Sequence, residues 1–150
     1  MDDMLRIGIL NGPNLDRLGL REPGIYGSAT LQSIMTNLKA YGQQKGADVT
    51  DFQSAHEGAL IDKIHDWTDA GYDGLLINAG AYSHTSIGIQ DGLRASGLPA
   101  IEVHLSHVHG REAFRHHSAI SAGCRGFVSG FGAMSYQLGL DGLLSIIKAS

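Results

Sequence analysis

Short stretches of this chain gather side chains that bind anions and move protons. The first runs from Asn11 to Gly27, N-G-P-N-L-D-R-L-G-L-R-E-P-G-I-Y-G, and places Asn14, Arg17, Arg21 and Tyr26 in a loop punctuated by Pro13, Gly19, Pro23, Gly24 and Gly27. A second, A-G-A-Y-S-H-T after Asn78, adds His84. A third carries Glu102, His104, Ser106, His109, Arg111 and Arg115. Guanidinium, amide, hydroxyl and imidazole groups with few carboxylates suit a small, oxygen-rich anion. Arginines and backbone N–H groups would take a carboxylate, and amides and hydroxyls would take alcohols. A long irregular loop inside a compact domain is usually functional or disordered. Ile25 and Tyr26 argue against plain disorder, so the first stretch reads as an active-site loop in which Tyr26 and Arg21 do chemistry.

These stretches need a scaffold that brings them together, and the hydrophobic pattern supplies one. Leu5–Leu10 and Gly74–Asn78 are near-continuous apolar runs, as expected of strands covered by helices on both faces, and Ala100–Leu105 after Pro99 reads as a further strand. Shorter strands are expected over Asp48–Gln53 and Gly126–Ser129. Between them lie helical repeats. Leu31, Ile34, Met35, Leu38 and Tyr41 follow Thr30 as N-cap, with Gly46 as the stop. Leu60, Ile61, Ile64 and Trp67 mark a second helix, Ser86–Ser96 spans a third, and Tyr136, Leu140, Leu143, Leu144 and Ile147 mark a closing helix over about 133–149. Gly88 and Gly92 inside the third helix each lower its stability by about 1 kcal/mol, which points to close packing against another element or another subunit. Strand and helix alternate throughout. The expectation is an α/β flavodoxin-like three-layer fold, with a five-stranded parallel sheet in order 2-1-3-4-5 and helices on both faces. Ligands of such sheets bind at the carboxyl ends of the strands, where all three stretches fall.

The bulk properties narrow the function classes. At 150 residues the chain fits one domain over its whole length, 1–150. A net charge of −4 gives no electrostatic footprint for nucleic acid or a membrane surface. No apolar run approaches the roughly 20 residues of a membrane span. The acidic start, Met1-Asp2-Asp3-Met4, is unlike a secretory signal, and Cys124 is the lone cysteine, so a cytoplasmic protein is expected.

The order of the motifs resembles the type II 3-dehydroquinate dehydratases. The resemblance rests on N-G-P-N-L at Asn11–Leu15, L-R-E-P-x-I-Y-G at Leu20–Gly27, I-N-A-G-A-Y-S-H-T-S at Ile77–Ser86, I-E-V-H-L-S at Ile101–Ser106 and R-E-x-F-R at Arg111–Arg115, and it covers about 7–147. It implies anti dehydration of 3-dehydroquinate to 3-dehydroshikimate through an enolate, in the shikimate pathway, with no metal, no cofactor and no covalent imine. The lysines agree on the last point. Lys39, Lys45, Lys63 and Lys148 fall on expected helices and none in a motif loop, whereas an imine mechanism needs a lysine in the pocket.

By the same resemblance Tyr26 is the base. A tyrosine titrates near ~10, so a phenolate near neutral pH requires lowering that by about 2–3 pH units, which a nearby arginine can supply. Arg21 matches that role and Arg17 could add to it. Asn14 matches the group that steadies the enolate, and His104 the general acid. Glu102 lies two residues before His104 on a strand, hence on the same face, where it can orient the imidazole. The substrate carboxylate would meet the Leu105 and Ser106 N–H groups and the Ser106 hydroxyl beside Asn78, and its ring hydroxyls would meet His84 and Arg115. Asp91 matches a residue that reaches a neighbouring subunit's site, and the implied assembly is a dodecamer built from trimers. His107, Ser83 and Gly110 stand where the family commonly has asparagine, threonine and alanine.

Other readings compete. Arg111 reads equally as a ligand-binding group or as a structural ion-pair partner of Glu112. His104, His107 and His109 invite a metal, but continued strand alternation would send His107 and His109 to the opposite face from His104, and no cysteine cluster supports one. A flavodoxin-like FMN or nucleotide domain is the functional alternative. Pro13 and the long run before the first helix disfavour the phosphate cradle it would need. A non-catalytic oligomeric scaffold is a third. With the first reading, Leu20–Gly27 is expected to act as a lid, the least ordered part of the chain without ligand.

Overall fold

A computed structural model describes residues 4–20 and 29–150. Of the expected lid, Leu20–Gly27, only Leu20 is described; the rest, with Arg21 and Tyr26, lies outside the described residues. The elements run β1 (Leu5–Asn11), α1 (Leu31–Gln44), β2 (Ala47–Gln53), α2 (Glu57–Asp69), β3 (Gly74–Asn78), α3 (Ile87–Ser96), β4 (Ala100–His104), β5 (Gly126–Ser129) and α4 (Met134–Lys148). Short 3-10 turns fall at Leu15–Arg17, Gly80–His84, Val108–Gly110, Ala113–Arg115 and Ser121–Gly123. All strand pairs are parallel, in the order β2-β1-β3-β4-β5 expected from the sequence.

Strand alternation splits the core into two layers. Ile7, Ile9, Leu76, Ile101 and Val103 face α1 and α4, where Leu31, Ile34, Met35, Leu38, Tyr136, Leu140, Leu143 and Leu144 close the layer. Leu10, Leu75, Ile77 and Ala100 face α2 and α3, against Leu60, Ile64, Trp67, Ile89 and Leu93. Burying a large aliphatic side chain contributes about 1.5–3 kcal/mol, so each layer is a strong restraint on the strands it covers. Gly8 makes room for Trp67, whose ring would lie 2.3 Å from a β-carbon there. The helix starts are specified locally: Thr30 Oγ1 accepts the Ser33 N–H at 3.1 Å, and Ser86 Oγ accepts the Ile89 N–H at 2.9 Å.

Two details differ from expectation, and a third meets it. The segment Ala79–Thr85 is not a plain loop but winds through a 3-10 turn. β4 stops at His104, one residue early, because Leu105 O accepts the Gly132 N–H at 3.0 Å, outside any strand pairing. The close packing signalled by Gly88 and Gly92 is against α2 of the same chain: β-carbons there would lie 3.1 and 3.7 Å from Ile61.

Candidate active site

A pocket opens at the carboxyl ends of β1, β3 and β4. Asn14, Asn78, His84, His104, Leu105, Ser106, Arg111 and Arg115 line it, so the structure brings together most of the residues singled out from the sequence.

The β1 side depends on backbone geometry. The Gly12 N–H donates to Asn78 O at 2.8 Å, and a β-carbon on Gly12 would sit 2.3 Å from Ala79 O, so the loop passes this close only as glycine. Asn14 follows at φ 70°, a left-handed conformation that asparagine tolerates better than most residues. The buried Leu15 and Leu18 then pin the 3-10 turn to the α1 layer and leave Asn14 exposed at the rim. The chain enters a 3-10 turn here, not an α-helix, so β1 leads into no helical phosphate cradle and the flavin or nucleotide reading lacks its main requirement.

At the end of β3, Asn78 is only 3% exposed and belongs to a neutral buried chain. Its Nδ2 donates to the Tyr136 hydroxyl at 3.1 Å, and that hydroxyl donates to Asn11 Oδ1 at 2.6 Å. Asn78 Oδ1 accepts the Gly80 N–H at 3.4 Å, which ties the amide to the following turn. Burial pushes the Tyr136 phenol above its ordinary value; the Asn78 N–H pulls the other way, and the Asp51 charge adds to the rise. In that turn His84 Nδ1 lies 2.8 Å from His117 O. A carbonyl only accepts, so Nδ1 carries the hydrogen, and Nε2 is the ring nitrogen left for a ligand.

At the end of β4, alternation sets Glu102 and His104 on the face opposite Ile101 and Val103. Glu102 is fully buried and its Oε2 lies 2.6 Å from His104 Nε2. His104 stacks on the His84 ring at 6.3 Å and meets the Phe127 ring, tilted by 45°, at 5.4 Å. With Nε2 engaged by Glu102, Nδ1 is the nitrogen able to exchange a proton with a ligand. Beyond it, Ser129 Oγ donates to Ser106 O at 2.8 Å and accepts the Val108 N–H at 3.2 Å. Among the described residues no acceptor meets the Leu105 or Ser106 N–H groups, so both can serve an anion.

Arg111 combines both of its readings: it lines the pocket, and its Nε lies 3.9 Å from Glu112. Glu112 is held more tightly by Arg115, Nε to Oε2 at 2.9 Å, and that hydrogen bond holds its carboxyl below the usual carboxylate value.

Among the described candidates, Glu102, His109, Asp91 and Arg17 do not line this pocket; Glu102 lies buried behind His104. Asp91 is exposed on α3, and Arg17 is exposed in the first 3-10 turn. The expected separation of His109 from His104 is overturned. β4 ends at His104, so alternation stops applying, and the His109 ring packs on the same Phe127 at 6.0 Å.

Sequence reasoning missed the partners beneath the site. Ser118 and Ser121 both donate to Glu102, and Asn11 and Tyr136 hold Asn78. The faint signal was the S-A-I-S spacing, two hydroxyls flanking an apolar pair. Nearby, burial and then the Glu102 charge push the Cys124 thiol up to about 12, so it is no nucleophile at neutral pH.

A parallel sheet of this order, with its pocket at the strand ends and a carboxylate-backed imidazole in it, defines an α/β enzyme site for a small anion. The chain belongs to the family described as Dehydroquinase class II, whose family model matches residues 5–144. It is 49% identical over 144 residues to the 3-dehydroquinate dehydratase of Prochlorococcus marinus (strain MIT 9313), covering 96% of each chain. It is 50% identical over 140 residues to that of Rhizobium johnstonii, covering 93% of this chain and 96% of the other. Among solved structures, the type II dehydroquinase of Butyrivibrio crossotus superposes with a TM-score of 0.92 at 42% identity, covering 94% of this chain and 98% of the other.

Proposed function

We propose that this chain dehydrates 3-dehydroquinate to 3-dehydroshikimate, a step of the shikimate pathway. The observation that carries the mechanism is the buried Glu102–His104 pair at 2.6 Å, in a pocket lined by amide, imidazole and guanidinium groups. None of Lys39, Lys45, Lys63 and Lys148 lines that pocket, which supports a route without an imine. No metal or cofactor is required.

In this reading Tyr26, with Arg21 favouring its phenolate, removes a proton from the carbon next to the ketone. The electron pair moves onto the ketone oxygen as an enolate, which Asn14 at the pocket rim steadies. Collapse of the enolate expels the hydroxyl on the opposite face. His104 protonates it from Nδ1, so water leaves and the enone remains. Glu102 stabilises the imidazolium on the other nitrogen. The Leu105 and Ser106 N–H groups with Asn78 hold the carboxylate, and His84 and Arg115 hold ring hydroxyls. Fixing the reacting groups in this way supplies much of the rate.

The reading extends to assembly and place. Asp91, exposed on α3 and outside this chain's own pocket, is available to complete a neighbour's site, which supports a dodecamer built from trimers. No described helix is long and apolar enough to cross a membrane, and the cytoplasm is the compartment in which the enzyme would work.

Incubation with 3-dehydroquinate tests it. The enone absorbance should rise without added metal, and chelator or borohydride should not slow it. No turnover by the folded oligomer overturns the reading. Tyr26→Phe should abolish turnover and leave binding; activity within about tenfold of wild type would remove Tyr26 as the base.

A further inference from the structure

The Glu102 carboxylate has no access to water, and what satisfies it is unusual for a buried charge. Its Oε2 meets His104 Nε2 at 2.6 Å. The Ser118 hydroxyl straddles both oxygens at 2.9 Å each, and the Ser121 hydroxyl donates to Oε1. The Ser118 oxygen also accepts the Ile120 and Ser121 backbone N–H groups at 3.3 and 3.1 Å. Its lone pairs are therefore occupied, and its one proton has only Glu102 to go to. Three donors converge on this side chain, and a carboxylate presents an acceptor to each of them.

The segment that brings the two serines is itself fixed to the scaffold. Ile120 is fully buried in the α2–α3 layer. The Ala119 N–H donates to Ser83 O at 2.7 Å, and Ala119 O accepts Gln90 Nε2 of α3 at 2.5 Å. His117 O fixes the His84 ring. One short stretch between the last pocket arginine and β5 thus sets the orientation of both pocket histidines.

We propose that Ser118 and Ser121 are positioning residues of the proton donor: their hydroxyls clamp Glu102 so that it holds His104 through Nε2 and keeps Nδ1 turned to the reacting hydroxyl. The serines touch no substrate and act only through Glu102. The inference rests on the dehydratase reading for its kinetics, but its structural half does not.

Ser121→Ala is the decisive variant, because Ser121 Oγ has Glu102 as its bonding partner, whereas Ser118 also closes the local turn. Ser121→Ala should lower kcat about tenfold with KM within about twofold, as expected when a buried acceptor loses one donor. Ser121→Thr, which keeps the hydroxyl, should recover most of the loss. In 15N-labelled protein without ligand, the downfield His104 Nε2–H resonance should move upfield or broaden in Ser121→Ala and stay in Ser121→Thr. An unmoved resonance, an unchanged kcat, or a loss confined to KM overturns the proposal. A wild type that never turns over 3-dehydroquinate, yet shows the resonance shift, sinks the dehydratase reading and leaves the clamp standing.

Discussion

Beneath the ends of β1 and β3, Asn11, Tyr136 and Asn78 form a neutral chain of hydrogen bonds from one strand to the next through α4. Beneath the end of β4, Ser118, Ser121, Glu102 and His104 form a cluster around a carboxylate. The first is buried throughout, the second buries Glu102 and His104 beneath two half-buried serines, and both end on a pocket side chain. They differ in what a proton would do. The neutral chain consists of groups that do not titrate near neutral pH, with burial pushing the Tyr136 phenol further from ionising. It can fix a position and cannot relay a charge. The β4 cluster sets a titratable imidazole against an anion, so it can pass a proton as well as hold a place. The two clusters beneath the pocket therefore differ in kind: one fixes a side chain, and the other can also move a proton.

The largest expected effect attacks the charged cluster. Glu102→Gln keeps the shape but turns an acceptor into an amide whose NH2 faces hydroxyl and imidazole donors. We expect kcat to fall about a hundredfold or more, with KM changed by only a few-fold, read from steady-state kinetics. If KM rises as steeply as kcat falls, the β4 cluster holds substrate too, and the contrast between the two clusters fails.

The neutral chain should respond in the opposite sense. Tyr136→Phe leaves Asn11 Oδ1 and an Asn78 N–H without their partner in a dry site. The expected cost is about 1–3 kcal/mol of stability, with KM raised and kcat within a few-fold. The pH dependence gives an independent reading. Because the folded-state value of Tyr136 is raised above the ordinary tyrosine value of about 10, its contribution to stability is complete below that pH and is lost as pH rises through the raised value. Thermal melts from pH 8 to 11 should show this alkaline decline in the wild type and a smaller one in Tyr136→Phe. Equal declines would place the titration elsewhere.

The two clusters were unequally legible in the sequence. The sheet was readable because β1 and β3 are apolar runs and helical repeats separate β1 from β2, β2 from β3 and β3 from β4. Glu102 and His104 were readable as a pair because a strand's period is fixed at two residues. The same rule failed at His109, since it holds only as far as the strand does. Ser118, Ser121 and Tyr136 were not readable as site partners. Ser118 lies 16 residues from Glu102, and Tyr136 lies 125 from Asn11, so only the folded sheet brings them together. In the sequence Tyr136 is one more position on the apolar face of α4, and nothing local marks its hydroxyl as a bridge.

The smallest effect concerns the turn that carries Ser106 away from β4. A β-carbon on Gly110 would lie 2.9 Å from the His107 ring, so the glycine leaves the space that the histidine fills. Gly110 is not in the left-handed region, and alanine fits its backbone. Two opposed consequences follow for Gly110→Ala. The unfolded chain loses freedom, which stabilises the fold by about 0.4–1 kcal/mol. The ring must swing aside, at a comparable cost because His107 is exposed and can move. In the wild-type background the two should nearly cancel, leaving the melting temperature within a degree or two (~0.5 kcal/mol). In a His107→Asn background the clash is gone, and the same substitution should stabilise by the full entropic amount. A double-mutant cycle on thermal melts reads the difference, a coupling of about 0.5–1 kcal/mol. Additive effects would mean that the His107 ring does not press on Gly110, and the packing beside Ser106 would be set by Gly130, whose own β-carbon would lie 3.2 Å from His107.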